Sequence, residues 1–278
     1  MTPHDARLTL ARPDLAAAGL EGLVRAGRYA QTWPTHCVAP AAAIRRAPDP
    51  NAEQLNQLLF GEAFDVLETA DGWAWGQARR DGYVGFVAEA ALKAGQPDPS
   101  HWVSAPRAYA FAEPNIKSRI QGLYSMNVLL TAGEREDRFV RCEDAGWFVE
   151  RQLSPLGQAE PDPATVAEQF VGAAYQWGGR ESVGLDCSGL VQQALLACGR
   201  ACPRDTDMQA AIGAPIGREA LRRGDLVFWR GHVGMMQDET RLIHANAYHM
   251  AVCIEPLATA IERIGKTDTG QPTGFRRI

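Results

Sequence analysis

The segment Asp186-Cys187-Ser188-Gly189-Leu190-Val191 places a thiol where an apolar-periodic helix begins. The buried stripe of that helix is expected at Leu190, Val191, Ala194, Leu195 and Cys198, and Gly199 supplies a C-terminal cap. Unpaired N–H groups and the positive end of the helix dipole stabilise a thiolate, which is the nucleophilic form of cysteine. We therefore expect Cys187 to be an exposed, readily ionised thiol that is also prone to oxidation.

Two histidines follow in strand-like sequence, His232 in Gly231-His-Val-Gly and His244 in Leu242-Ile-His-Ala-Asn. If residues 238–240 form a hairpin turn, both histidines point to the same face of the sheet, directly opposed or as diagonal neighbours. A thiol beside two imidazoles is the pattern of a cysteine hydrolase, in which one imidazole is the base and the second orients it.

Composition excludes several other classes of protein. The chain has 278 residues, of which 46% are hydrophobic and 22% charged, which is typical of a soluble globular protein of about two domains. The net charge of −5 and the absence of a polybasic run argue against nucleic-acid binding. No apolar stretch approaches the roughly 20 residues of a membrane span, and the N-terminus lacks the pattern of a signal peptide. We expect a cytoplasmic protein with no membrane partner, unless a leader has been removed.

The six cysteines are scattered along the chain without the dense spacing of a disulfide-stapled domain, so reduced thiols are expected. Cys198 and Cys202 lie four residues apart, but no nearby residues complete a zinc ligand set. We expect no metal. A thiol–imidazole pair supplies both a nucleophile and a proton shuttle, so no cofactor is implied.

The first half of the chain resembles two copies of one small β-module. Short apolar runs separated by turn residues extend from Val38 to Val87, and a similar order recurs from Val103 to Val149. The modules are placed at residues 34–97 and 98–154. Residues 1–33 precede them, and alanines and leucines at helical spacing from Asp14 to Tyr29 predict a helix that packs on the first module.

A proline-rich linker from Ser154 introduces the last domain, residues 155–278. Residues 163–174 have the composition of a helix, the Cys187 helix follows, and three strand-like runs come after it. Helices followed by an antiparallel sheet indicate an α+β fold.

Six motifs follow one another in the last domain. They are Tyr175-Gln-Trp-Gly-Gly, Leu185-Asp-Cys-Ser-Gly-Leu-Val, Pro203-Arg-Asp-Thr-Asp-Met-Gln, Arg223-Gly-Asp-Leu-Val-Phe-Trp, Gly231-His-Val-Gly-Met and Ile243-His-Ala. In this order they resemble the NlpC/P60 family of cell-wall cysteine peptidases. The two β-modules resemble the bacterial SH3-like domains of the branch that cleaves γ-D-glutamyl-L-diamino acid bonds. The resemblance implies a papain-like domain, with helices packed on an antiparallel sheet, preceded by two SH3-like barrels.

The resemblance also implies a role for each matching residue. Cys187 would attack the amide carbonyl, His232 would carry the proton, His244 would orient His232, and the Tyr175 hydroxyl would help to stabilise the oxyanion. Substrate contacts, including recognition of a free N-terminal amine, are implied for Asp186, Ser188, Asp205, Thr206, Trp177, Tyr83, Glu53 and Glu62. A buried ammonium needs a carboxylate partner, which makes the acidic residues sensible candidates.

The resulting hypothesis is a cytoplasmic peptidase of peptidoglycan recycling, for which a monomer is favoured over an oligomer. It would release L-Ala-γ-D-Glu from L-Lys or meso-diaminopimelate in free murein peptides. Three alternatives stay open: an exported wall hydrolase whose SH3-like modules bind peptidoglycan, an amidase or acyltransferase on the same fold, and a catalytically silent binding protein. The intact set of Cys187, His232 and His244 argues against the last of these.

Overall fold

The computed structural model describes residues 4–278, which form two compact units that divide after Leu156. The division falls inside the proline-rich linker that begins at Ser154. The first unit is almost entirely β-structure, and the second combines helices with one large sheet. None of the helices within residues 4–278 has the length and apolar character needed to cross a bilayer.

The segment before the first β-module is not the expected helix over residues 14–29. It forms two short parallel strands, β1 (Leu15–Ala17) and β2 (Arg28–Ala30), joined through a 3-10 turn at Ala18–Leu20. Gly22 has φ +80°, a left-handed conformation that interrupts a helix. The apolar residues of the segment pack on the first module instead: Leu10 and Leu15 belong to one buried cluster with Trp75.

The first β-module is a single seven-stranded antiparallel sheet in the order β5-β4-β8-β7-β6-β3-β9. Its strands are β3 (Trp33–Cys37), β4 (Ala41–Arg45), β5 (Gln54–Leu59), β6 (Ala63–Ala70), β7 (Trp73–Ala78), β8 (Val84–Ala88) and β9 (Leu92–Ala94). A 3-10 turn at Glu89–Ala91 precedes the last strand. The module encloses its own apolar core, which includes Ile44, Phe64 and Val87.

The second β-module is divided between two sheets, whose strand orders are β13-β10-β17 and β12-β11-β16-β15-β14. Its strands are β10 (His101–Val103), β11 (Arg107–Phe111), β12 (Ile120–Ser125), β13 (Leu129–Leu130), β14 (Ala132–Glu136), β15 (Phe139–Cys142), β16 (Gly146–Val149) and β17 (Leu153–Pro155). A 3-10 turn at Glu150–Gln152 again precedes the last strand, which repeats the ending of the first module.

The two β-modules pack closely against each other. Leu59 and Phe60 of the first module lie in the apolar core of the second, and Phe60 makes an edge-to-face contact with Tyr124 at a centroid distance of 5.3 Å. Gly61 permits this approach, because a Cβ there would stand 2.2 Å from the carbonyl oxygen of Leu129.

The second unit is built on a nine-stranded sheet in the order β19-β20-β18-β25-β24-β23-β22-β26-β21. The helices are α1 (Pro163–Glu168), α2 (Cys187–Ala197), α3 (Thr206–Gln209) and α4 (Leu257–Ile264), with a 3-10 turn at Arg218–Ala220. The strands are β18 (Ala174–Tyr175), β19 (Arg180–Glu181), β20 (Gly184–Leu185), β21 (Ala214–Pro215), β22 (Leu226–Trp229), β23 (His232–Met236), β24 (Arg241–Asn246), β25 (Ala251–Pro256) and β26 (Gly274–Arg277). This is the α+β layout expected from the sequence.

Helix α1 is shorter than the expected helix over residues 163–174. Asp162 caps its start, with its carboxylate accepting the N–H groups of Ala164 and Thr165. The helix ends at Glu168, and Gly172 then turns the chain with φ +85° while its N–H donates to the carbonyl of Val252. The segment is therefore drawn onto the sheet instead of continuing as a helix.

Candidate active site

Cys187 is the first residue of α2, as expected, but its thiol is buried. The side chain interacts with the backbone N–H of Val233 on β23, and Sγ lies 3.9 Å from Oγ1 of Thr206. Burial raises the pKa of Cys187 to about 11, the nearby Asp186 carboxylate acts in the same direction, and the two hydrogen bonds offset only part of the effect. The expectation of an exposed, low-pKa thiol was wrong, because burial disfavours the charged thiolate.

Asp186 caps α2, and its carboxylate is enclosed by five hydrogen bonds. Oδ1 accepts from the Gly189 N–H, the Ser188 hydroxyl and Nη1 of Arg204, while Oδ2 accepts from the Gly178 N–H and Nη2 of Arg204. Five donors exceed the roughly four lone-pair positions of a carboxylate. Asp186 therefore holds the nucleophile's helix in place, and its contact with a substrate amine stays a prediction.

Gly189 lets the first turn of α2 approach the loop that follows β18. A Cβ at this position would stand 2.3 Å from the carbonyl oxygen of Gly179. The loop follows Tyr175, whose backbone N–H donates to the carbonyl of Met250. Burial raises the pKa of Tyr175, and an electrostatic interaction with Cys187 contributes to the rise, so its hydroxyl keeps its proton and stays available as a hydrogen-bond donor.

The two histidines meet across β23 and β24 as the strand parity predicts. The register pairs Met235 with Ile243, which makes His232 and His244 diagonal neighbours on one face. Nε2 of His232 lies 2.8 Å from Nδ1 of His244. Burial and the neighbouring His244 lower the pKa of His232 to about 3, so its imidazole is neutral near neutral pH and can accept a proton.

Glu255 extends this pair and was not identified from the sequence. Its Oε1 lies 2.8 Å from Nε2 of His244 and also accepts a hydrogen bond from Arg263 on α4. Burial would raise the pKa of Glu255, but the bonds from His244 and Arg263 lower it overall. The available signal in the sequence was a carboxylate directly after the apolar run Ala251–Ile254. The strand register that places this carboxylate beside His244 could not be read from the sequence.

The remaining substrate-binding candidates of the second unit differ in accessibility. Ser188 is buried, with its hydroxyl donating to Asp186 and accepting from Arg204. Thr206 is 9% exposed beside the thiol, Asp205 is the partly buried residue before α3, and Trp177 is 61% exposed. Thr206, Asp205 and Trp177 thus remain candidates for substrate contact, whereas Ser188 supports the floor of the site.

The candidates in the first β-module are placed mainly in its interior. Tyr83 is 3% exposed and belongs to the core cluster of the module. Glu62 is 1% exposed, accepts the Leu59 N–H and forms an ion pair with Arg80 at 2.7 Å. Glu53 is at the surface in an ion pair with Arg46. Glu62 therefore has a structural role within the module.

Within residues 4–278, one group has metal-ligand geometry: atoms of His244, Cys253 and Glu255 all lie within 4.8 Å of one another. His244 and Glu255 already bond to each other, and the Arg263 cation occupies the same carboxylate oxygen. A second cation is disfavoured there, so we assign these residues to the histidine network.

The arrangement of thiol, neutral imidazole and orienting imidazole at a helix start defines a cysteine hydrolase site on a papain-like domain. Sequence comparison gives the family: residues 172–262 match the NlpC/P60 family, and residues 44–92 match the bacterial dipeptidyl-peptidase SH3 domain. The chain thus carries an NlpC/P60 peptidase domain behind a bacterial SH3 domain, and it is a cysteine peptidase.

Similar curated proteins align with most of the chain. The γ-D-glutamyl-L-lysine dipeptidyl-peptidase of Bacillus cereus is 27% identical over 244 residues, which cover 75% of this chain and 72% of that protein. The protein of the same name from Bacillus subtilis is 29% identical over 218 residues, covering 68% and 71%. An NlpC/P60 family crystal structure from Bacillus cereus superposes with a TM-score of 0.73 at 21% identity, covering 88% of this chain and 99% of that one, which confirms the fold.

Proposed function

We propose that the protein hydrolyses the γ-D-glutamyl-L-diamino acid bond of peptidoglycan-derived peptides with a free N-terminal L-Ala. The products would be L-Ala-γ-D-Glu and a remainder whose first residue is L-Lys or meso-diaminopimelate. The observation that carries this proposal is the hydrogen-bonded His232–His244 pair beside the helix-start thiol of Cys187. The names of the two Bacillus relatives supply the substrate class.

The chemistry follows from the resting protonation states. Cys187 is a thiol and His232 a neutral imidazole, so His232 takes the proton as Sγ attacks the carbonyl carbon. The resulting oxyanion accepts hydrogen bonds from the backbone N–H of Cys187, which has no carbonyl partner within α2, and from the Tyr175 hydroxyl. His232 then protonates the leaving amine as the C–N bond breaks and a thioester remains.

The second half of the reaction uses the same groups. His232 removes a proton from water, the hydroxide adds to the thioester carbonyl, and the C–S bond breaks. The proton returns from His232 to Sγ, which restores the thiol and frees the γ-carboxyl product. His244 holds the His232 ring through both steps by the 2.8 Å bond to Nε2.

Recognition of the free amine is part of the proposal. Asp186 already accepts five hydrogen bonds from four residues, so we favour Asp205 and Thr206 in the second unit, together with the wall offered by exposed Trp177. The contacts expected from the sequence for Glu53 and Tyr83 of the first β-module stay predictions. The acidic candidates suit an ammonium group, because a charge brought out of water needs an opposite charge beside it.

The test uses four peptides: L-Ala-γ-D-Glu-meso-diaminopimelate, its L-Lys analogue, and the N-acetylated form of each. The wild-type protein should release L-Ala-γ-D-Glu from the two free peptides and from neither acetylated one, as followed by mass spectrometry. Cys187→Ala should release none, while Cys198→Ala, which changes a cysteine at the far end of α2, should act as wild type. Equal turnover of free and acetylated peptides would refute the amine requirement, and cleavage by Cys187→Ala would refute the mechanism.

We further propose that the protein acts as a monomer in the cytoplasm, on peptides returned for recycling. Cys142, Cys187, Cys198 and Cys253 are free thiols, which suits a reducing compartment. Fractionation of cells that express the chromosomally tagged protein should place the peptidase activity in the cytosolic fraction. Activity released with the cell wall, or cleavage of intact sacculi, would instead favour an exported hydrolase.

A further inference from the structure

We infer that Glu255 is a positioning residue: it fixes the proton on His244 and thereby makes Nδ1 of His232 the nitrogen that receives the thiol proton. The inference rests on the proposed function in that it takes His232 as the catalytic base. It goes beyond that function because it assigns a fourth residue and a defined tautomer to each ring.

Strand register brings Glu255 to the histidine pair. On β24 and β25, His244 pairs with Cys253, so Glu255 is two residues further along the same face of β25. Its Oε1 reaches Nε2 of His244 at 2.8 Å, in a region where His244 is fully buried and Glu255 is 11% exposed at its side chain. Arg263 on α4 bonds to the same oxygen and favours the ionised carboxylate.

An ionised carboxylate can only accept hydrogen bonds, so Nε2 of His244 must carry a proton and donate it. Burial lowers the pKa of His244, and a neutral imidazole with a proton on Nε2 has only a lone pair on Nδ1. The 2.8 Å bond between His232 and His244 therefore requires Nε2 of His232 to be the donor.

The same reasoning then fixes the reactive nitrogen. Neutral His232 with a proton on Nε2 carries its lone pair on Nδ1, the ring nitrogen not used in the histidine pair. His232 directly precedes Val233 on β23, and the Val233 N–H bonds to Cys187, so His232 is one residue from the contact between this strand and the nucleophile. If Nε2 of His244 accepted a hydrogen bond instead of donating one, both histidines would adopt the opposite tautomer. Nδ1 of His232 would then carry a proton and could not accept the proton of the thiol.

Other charged and titratable groups around this network come from three elements. Arg263 lies on α4, Cys253 on β25, and His249 in the loop between β24 and β25, where its Nδ1 is 3.3 Å from Sγ of Cys253. Of these, Arg263 contacts Glu255 directly, and Arg263 also stacks on exposed Tyr248 at 4.5 Å. None of them provides His244 Nε2 with an acceptor equivalent to Glu255 among the hydrogen bonds of the described residues.

The test compares Glu255→Leu, Glu255→Gln and the control Glu262→Gln by ¹⁵N NMR of labelled imidazoles and by peptide hydrolysis. Leucine offers no acceptor, and glutamine can donate as well as accept, so either change frees His244 to adopt its second tautomer. Glu262 on α4 is a glutamate of the same unit that pairs with Lys266 at the surface and does not contact the histidine network. Thermal unfolding of each variant identifies any loss of fold.

In the wild type and in Glu262→Gln, both Nε2 atoms should be protonated and both Nδ1 atoms unprotonated. Both Glu255 variants should populate the second tautomer and lose about 10- to 100-fold in kcat with KM nearly unchanged, the range known for removal of the outer hydrogen-bond partner of a metal-bound histidine. A single, wild-type tautomer in both variants, or kcat within twofold of wild type, would overturn the inference. The NMR result needs no substrate, so it stands apart from failure of the wild type to cleave the peptides.

Discussion

The guanidinium of Arg204 forms a two-pronged ion pair with the carboxylate of Asp186, with Nη2 and Oδ2 only 2.6 Å apart. Arg204 is 1% exposed and Asp186 6% exposed, so both charges are withdrawn from water. Arg204 also donates to Ser188, on the other side of the nucleophile. The residues on both sides of Cys187 are thus fixed by one side chain from the segment before α3.

Removing this guanidinium should destabilise the peptidase domain. Arg204→Leu leaves Asp186 as a buried charge without its main counter-ion, and the free energy of unfolding should fall by about 3–5 kcal/mol. Chemical denaturation followed by tryptophan fluorescence measures the change. Lys266→Ala, which breaks an exposed pair with Glu262, should cost less than about 1 kcal/mol. Equal effects of the two substitutions would contradict the structural role of Arg204.

The thiol of Cys187 should react slowly with alkylating agents at neutral pH. Because its pKa is raised to about 11, the thiolate fraction should grow about tenfold for each unit between about pH 7 and pH 10. Iodoacetamide labelling of the Cys187 peptide, quantified by mass spectrometry, measures this profile in the free enzyme.

His232→Gln provides the control for that profile. If the resting pair is neutral, removal of the imidazole should leave the labelling profile nearly unchanged, since no imidazolium stabilises the thiolate. A reactive plateau below about pH 7 in the wild type that disappears in His232→Gln would instead indicate a thiolate–imidazolium pair.

The Tyr175 hydroxyl should matter for the rate of catalysis more than for substrate binding. Tyr175→Phe removes one proposed donor to the oxyanion, which should lower kcat by about 100-fold and leave KM within about twofold. Steady-state hydrolysis of the preferred peptide tests this. Tyr109→Phe removes an exposed hydroxyl from the second β-module and should have no effect. A fall in kcat/KM caused by KM alone would assign Tyr175 to substrate binding instead.

Gly189 should not tolerate even a methyl group. Gly189→Ala places a Cβ 2.3 Å from the carbonyl oxygen of Gly179, so α2 or the Tyr175 loop must move. We expect a loss of about 1–3 kcal/mol in the free energy of unfolding together with a loss of activity, as for other overpacked positions. Gly274→Ala, where no atom lies within 4 Å of the added Cβ, is the matched control and should retain activity. Wild-type activity in Gly189→Ala would show that the site accommodates the shift.

The sequence was most informative where local periodicity decides the structure. The capped start of α2 and the shared face of His232 and His244 both follow from spacing within short segments. Parity left two registers open for the histidines, and only the hairpin geometry selected the diagonal one. The family motifs supplied the fold class, because their order extends through the whole peptidase domain.

Features that depend on distant packing were missed. Residues 14–29 have helical spacing, yet packing of Leu15 beneath Trp75 determines their conformation. The burial of Cys187 and the approach of Glu255 to His244 arise from elements that meet only in the folded sheet. A helix dipole can be inferred from one segment, whereas desolvation depends on everything that surrounds the thiol.

The enclosure of Asp186 divides the site into a part that tolerates change and a part that does not. Every group that holds the nucleophile's helix is bonded to another such group, so redesign of the floor would disturb folding and chemistry together. Trp177, Tyr248 and Met250 are 61%, 71% and 59% exposed on neighbouring loops. New substrate preferences should therefore be selected at this rim, where side chains can vary without altering the machinery below.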